Sequence, residues 1–208
     1  MIYISPYSDK LTFFQKLRSL DYILLLSIFL IGVISCFAMY STDGGEFLYH
    51  SKSHVIRFFV FFILMIFLSF LSIKFWHSIG YLLYIGVLIL LIWASLYGVS
   101  ASGSQRWINL YFINLQPSEL MKIAIIICFA KFYHRVQVEN INKFKNILIP
   151  TTLLIIPTLL VVSQPDLGTS ILIASSGLII IWLAGLKVKY FAYSLLVFVG
   201  SLPFVIAF

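Results

Sequence analysis

Charge is scarce in this chain. Only 10% of its 208 residues are charged, against 62% hydrophobic, and the mean hydropathy is +1.06. A soluble globular domain carries about a quarter charged and about half apolar residues. A chain this poor in polar side chains has too few to cover a water-facing surface, which excludes an ordinary soluble domain. Acids are rarer still, seven against fourteen Lys and Arg, for a net charge of +7. In a soluble protein that excess would point to nucleic acid. Here the cations sit in short gaps between apolar runs and no nucleic-acid motif accompanies them, so nucleic acid is not an expected partner. The two cysteines, Cys36 and Cys128, lie within apolar segments without CxxC or metal-ligand spacing. They read as small membrane-buried hydrophobes and say nothing of redox compartment. Also missing are a Ser-His-Asp set, a Gly-rich phosphate loop and any internal repeat.

What is abundant is apolar sequence in long runs. A bilayer core of about 30 Å needs roughly 20 apolar residues at helical rise. Seven stretches approach that length: 22–40, 55–73, 79–98, 115–132, 147–162, 167–186 and 190–208. The fold class predicted is an all-α polytopic transmembrane bundle, with 22–208 as one transmembrane domain. The stretch 115–132 is the weakest, because Glu119 and Lys122 interrupt it. The stretch 147–162 is short and carries Pro150 and Pro157, which membrane helices tolerate. Cation bias sets orientation. With the N-terminus cytoplasmic, the inner side receives Lys10, Lys16, Arg18, Lys74, Lys131, Arg135, Lys143, Lys145, Lys187 and Lys189. Residues 1–21 then form a cytoplasmic tail, too long and polar for a cleavable signal peptide. In it Phe13, Phe14, Leu17 and Leu20 recur at helical spacing beside Lys10, Lys16 and Arg18, as in an interfacial helix. A disordered basic tail is the other reading.

Most remaining polar residues fall in two outer loops, 41–54 and 99–116. The first holds Asp43, Glu46, His50 and His54. No helical pattern is evident around the two histidines, and His77 and His134 lie on the inner side, so no metal site is expected. Ionisable residues at membrane depth are functional candidates by default. Glu119 and Lys122, three apart, share a helix face. They are either a structural ion pair behind the Pro117-Ser118-Glu119 helix start, or a pair lining a cavity for an anion or a proton. Asp166, after Pro165 and before an apolar run, suits a helix cap. Arg106, between Gln105 and Trp107, offers forked recognition of phosphate, while Trp107 suits a membrane interface. An interfacial anchor is the plainer reading of that trio.

Three blocks occur in order: Gly103-Ser104-Gln105-Arg106-Trp107-Ile108, Leu115-Gln116-Pro117-Ser118-Glu119-Leu120-Met121-Lys122 and Gln164-Pro165-Asp166-Leu167-Gly168-Thr169-Ser170. Together they resemble the SEDS family (shape, elongation, division and sporulation), and most closely its rod-shape-determining RodA branch. The resemblance implies a ten-span bacterial inner-membrane peptidoglycan glycosyltransferase. Such a protein polymerises lipid II into undecaprenyl-pyrophosphate-linked glycan for cell elongation and rod shape. It also implies a class B penicillin-binding protein and other elongation-complex membrane proteins as partners. By the same resemblance Glu119, Lys122 and Asp166 match cavity positions, with Arg106, Gln105, Trp107 and Gln164 as substrate-binding candidates. No cofactor is certain, and a divalent cation (Mg or Mn) is allowed for.

The chain departs from the family pattern at its end. The family's candidate base is an Asp in a large outer loop after the seventh span, and residue 208 falls before it. The expectation is an N-terminal portion, inactive alone. Two readings compete with the enzyme: a transporter of lipid-linked precursor, and a non-catalytic scaffold of the elongation machinery.

Overall fold

A computed structural model describes residues 13–101, 104–110 and 114–187. Seven helices are described: α1 (Phe13–Arg18), α2 (Tyr22–Thr42), α3 (Tyr49–Ser69), α4 (Ile73–Tyr97), α5 (Pro117–His134), α6 (Phe144–Val162) and α7 (Leu167–Leu183). The predicted span 190–208 lies outside the described residues. Four helices, α2, α3, α4 and α6, are long and apolar enough to cross a membrane. The α5 helix carries Glu119, Lys122 and Lys131 within its eighteen residues, and α7 is seventeen residues long. Tertiary contacts divide the chain into two compact units, one ending at Phe75 and the other beginning at Trp76.

The first unit is a helical hairpin. Asp21 opens α2 by accepting hydrogen bonds from the backbone N–H groups of Ile23 and Leu24, donors that a first turn leaves unpaired. Gly44 and Gly45, both at positive φ, turn the chain toward α3. Contacts then run antiparallel. Ser51 donates to the Met39 carbonyl, the Ser35 hydroxyl meets His54 Nε2 at 2.8 Å, and Phe29 packs on Phe58 and Phe62. At Gly32 the Phe58 ring packs directly on the α2 backbone: a Cβ there would overlap the ring. The loop is shorter than the sequence suggested. Helix α3 begins at Tyr49, six residues before the predicted 55, so His50 and His54 are helical after all. The reason is local, since the Asp43 carboxylate accepts from the Ser51 backbone N–H at 2.8 Å and from its hydroxyl. That bond ties the polar first turn of α3 back to the end of α2.

In the second unit, α5 is the most deeply enclosed element. Met121, Ala124, Ile125, Cys128 and Phe129 recur three and four apart and are shut from solvent. They pack with Tyr84, Val87 and Leu91 of α4, Leu154 and Val161 of α6, and Ile173 and Ile181 of α7. The charges that weaken this helix in hydropathy lie in its first two turns and its last, leaving an apolar stretch between Lys122 and Lys131. Gly177 lets α7 settle on its neighbours: a Cβ there would fall 2.5 Å from Leu154 Cδ1 and 3.2 Å from Phe129 Cε2. Gly185, at φ +108, ends α7 in the left-handed conformation that glycine adopts freely.

The two prolines of α6 are answered by tyrosines. A proline cannot donate to the carbonyl four residues back, and no water is at hand in a bilayer core to replace that bond. Pro157 frees the Leu153 carbonyl, and Tyr84 Oη of α4 donates to it at 2.7 Å. Pro150 frees the Asn146 carbonyl, and Tyr133 Oη of α5 donates to it at 3.2 Å.

The loop predicted over 99–116 holds strands that periodicity did not announce: β1 (Val99–Ala101), β2 (Ser104–Asn109) and β3 (Asn114–Leu115). They form an antiparallel sheet in the order β1-β2-β3. Such short polar strands have no hydrophobic alternation of their own, and their pairing defines them. Val99 faces Trp107 and Ser100 faces Gln105, so Arg106 is the extra residue of a β-bulge.

Candidate functional site

The bulge aims Arg106. An extra residue in one strand bends it and redirects the side chain it carries. Here Arg106 Nη1 reaches Asp166 Oδ2 at 3.0 Å, and both side chains are largely buried, 23% and 12% exposed. Asp166 is the N-cap of α7, as its place before the apolar run predicted. Its Oδ1 accepts from the Thr169 backbone N–H at 3.1 Å. One carboxylate thus closes a helix end with one oxygen and holds an arginine with the other.

Gln116 completes the cluster. It caps α5 from an extended conformation, its backbone carbonyl accepting from Glu119 N–H at 3.1 Å. Its side-chain amide donates to Asp166 Oδ2 at 3.2 Å. The sheet, the start of α5 and the start of α7 therefore meet at one carboxylate. Gln116 was not among the residues singled out for a site role. Its position directly before Pro117, in a block of unusual polarity, was the available signal.

Partial burial pushes the Asp166 carboxyl up, but hydrogen bonds from Thr169 and the Arg106 guanidinium outweigh that. The group is held below its ordinary value of 3.8. Two polar atoms nearby in the chain stay unused by protein partners: Arg106 Nε and the Ser118 hydroxyl, both buried.

The other candidates distribute unevenly. Lys122 Nζ donates to Glu119 Oε2 at 2.7 Å, one turn along α5, with Glu119 more than half exposed. As the third helical residue, Glu119 also complements the N-terminal end of the α5 dipole. Gln164 is buried in the turn between α6 and α7, its amide donating to the Leu91 carbonyl of α4 at 3.4 Å. An amide so placed ties that turn to α4. Trp107 lies beside Arg106 on β2, paired with Val99, and Gln105 is the strand residue opposite Ser100.

A divalent cation does not fit the described residues. Both Asp166 oxygens are engaged by donors and Glu119 is paired with Lys122. Among the described residues no three His, Cys, Asp or Glu side chains come together.

Helices of membrane-crossing length, joined to a buried ion pair at the foot of two of the bundle helices, define a multi-pass membrane protein. The chain belongs to the FtsW/RodA/SpoVE family of cell cycle proteins, whose family model matches residues 16–208. It is 31% identical over 195 residues to the peptidoglycan glycosyltransferase MrdB of Escherichia coli K12, covering 94% of this chain and 52% of MrdB. It is 34% identical over 152 residues to a probable peptidoglycan glycosyltransferase FtsW of Buchnera aphidicola, covering 71% of this chain and 43% of that protein. The chain thus spans about half the length of the curated relatives it matches. Among solved structures, the rod shape determining protein RodA of Thermus thermophilus superposes with a TM-score of 0.72 at 22% identity, over 86% of this chain and 58% of that one. A chain from a structure of a peptidoglycan synthase complex superposes at 0.73 and 24% identity, over 89% of this chain and 55% of that one. At such identity the likeness concerns the fold.

Proposed function

We propose that this chain forms part of a peptidoglycan glycosyltransferase that polymerises lipid II at the outer face of the bacterial inner membrane. Its N-terminus is then cytoplasmic, and a class B penicillin-binding protein is its partner. In the reaction the 4-hydroxyl of an incoming sugar attacks the anomeric carbon of the growing strand. The bond to undecaprenyl pyrophosphate breaks and the hydroxyl proton is lost. The observation that carries the reading is Arg106. It sits on a bulge, oriented by Asp166 at 3.0 Å, and retains a buried Nε–H that no protein group uses. A guanidinium so fixed suits a departing pyrophosphate, whose charge grows as the bond breaks. Lys122 adds positive charge, and the half-exposed Glu119 carboxylate, anchored by Lys122 through Oε2, turns its other oxygen to a sugar hydroxyl.

The test is polymerisation of lipid II by the purified full-length protein with its penicillin-binding partner. Loss of one oriented donor costs about 10²-fold or more in rate, and that is the loss expected for Arg106→Ala. Parental rates in both Glu119→Ala and Lys122→Ala would remove those two residues from the site.

A second reading is transport of the lipid-linked precursor. The Glu119–Lys122 pair within a helix favours it, because charges at membrane depth mark pathways. Proteoliposomes that move lipid II across the bilayer without polymerising it would establish that reading instead.

A further inference from the structure

At the end of α5 away from Pro117, a second group of ionisable side chains converges with no acid among them. Gly80 allows α4 and α5 to approach there, since a Cβ on it would lie 3.2 Å from the Ile127 carbonyl oxygen and from Lys131 Cδ. Lys131 is only 8% exposed. Its ammonium donates to the Ser78 carbonyl at 2.7 Å and sits 4.7 Å from the centre of the Tyr81 ring. The exposed His134 ring packs edge to face on His77, with centroids 5.1 Å apart. Arg135, the residue after His134, caps the end of α5. Among the described residues, no ion pair joins Lys131 or Arg135 to a carboxylate. His77 Nε2 is buried and without a partner.

Helix-dipole complementarity explains one or two cations in a last turn. It does not explain four basic groups from two helices gathered on one spot. Like charges so placed repel one another, and a buried ammonium is costly unless an anion lies near. An unpartnered buried ring nitrogen among them calls for a hydrogen-bonding partner. The position, at the start of the long apolar α4 and the end of α5, is where phosphate groups of a bilayer lie.

We propose that His77, Lys131, His134 and Arg135 form a binding site for the phosphate of an anionic phospholipid headgroup. The exposed His134 and Arg135 contact the phosphodiester. The buried Lys131 ammonium supplies positive charge behind them, and the His77 ring packs against His134. The site is separate from the Arg106–Asp166 contact, and its failure would leave the proposed activity untouched.

The experiment is native mass spectrometry of the whole detergent-solubilised chain with phosphatidylglycerol or phosphatidylcholine added. Retention of phosphatidylglycerol in clear preference to phosphatidylcholine is expected. The double variant His134→Gln/Arg135→Gln lowers that retention roughly fivefold or more, as loss of surface cations implies. His134→Lys/Arg135→Lys keeps the charge and keeps the lipid, which separates loss of binding from loss of fold. Lys143→Gln/Lys145→Gln, altering cations outside the cluster, leaves retention within about twofold of the parent, because charges away from the bound phosphate are screened. Equal retention of the two lipids would overturn the proposal. So would undiminished binding in the glutamine variant at 134 and 135, or equal losses in the two glutamine variants, which would mean diffuse charge. Displacement of the lipid by millimolar inorganic phosphate would assign the site to free phosphate and overturn the lipid as its ligand.

Discussion

Replacing Tyr84 by Phe tests the logic of the proline-bearing helix. The substitution removes one oxygen atom and keeps the ring, which is buried against the bundle core with 3% exposure. The lost hydroxyl is the donor to the Leu153 carbonyl at 2.7 Å, and Pro157 guarantees that α6 supplies no replacement. A buried carbonyl left unsatisfied costs about 1–3 kcal/mol. Hydrogen bonds between membrane helices have been worth about 0.6 kcal/mol on average and up to about 1.7, because the unfolded chain in a membrane also finds partners. For a short bond to a group with no alternative donor, the upper end applies, and about 1.5 kcal/mol is expected. The assay is equilibrium unfolding in mixed micelles by rising denaturing detergent. The decisive comparison is a double-mutant cycle with Pro157→Ala, which restores a backbone N–H to Leu153. In that background Tyr84→Phe should cost less than about 0.5 kcal/mol, giving a coupling near 1 kcal/mol. If Tyr84→Phe costs the same with proline or alanine at 157, the hydroxyl is not compensating the proline and the reasoning fails.

Three further outcomes follow from the site and its supports. Asp166→Asn keeps a side-chain acceptor for the α7 cap but removes the charge holding Arg106, so it should unfold near the parent yet polymerise at least about tenfold more slowly, whereas Asp166→Ala should lose about 1 kcal/mol as well. The Asp166 carboxyl is held below its ordinary value of 3.8, so its stabilising contribution is complete above that value and lost as pH falls through the lowered one. The stability difference between parent and Asp166→Ala should accordingly be flat from neutral pH down to the ordinary aspartate value and shrink only in stronger acid; a change centred near neutrality would contradict the assignment. Gly98→Ala would make a Cβ overlap the Ala94 carbonyl oxygen and lie 3.2 Å from that of Trp107, so it should displace the strands carrying Arg106 and lower polymerisation more than it lowers unfolding stability.

Much of this protein is written in its composition. A shortage of charge and long apolar runs dictate helices in lipid, because only a helix satisfies its own backbone bonds within a single segment there. Asp166 as a cap and Glu119 beside Lys122 were equally readable, since each depends on neighbours within four residues. Boundaries set by distant partners were not. The early start of α3 depends on an Asp43–Ser51 bond across the turn, and the strands before α5 exist only by pairing with one another.

The tertiary structure alone decided three matters. It brought Arg106, Gln116 and Asp166 to one carboxylate, from positions up to sixty residues apart in sequence. It turned the least apolar span, α5, into the centre of the second unit, because its charges keep to the first two turns and the last and its apolar residues recur between them. It also matched Tyr84 and Tyr133 to the carbonyls that Pro157 and Pro150 leave open. Local sequence determines which groups a helix leaves unsatisfied, but the donor that satisfies them comes from whichever helix packs alongside, and only the packed bundle selects it.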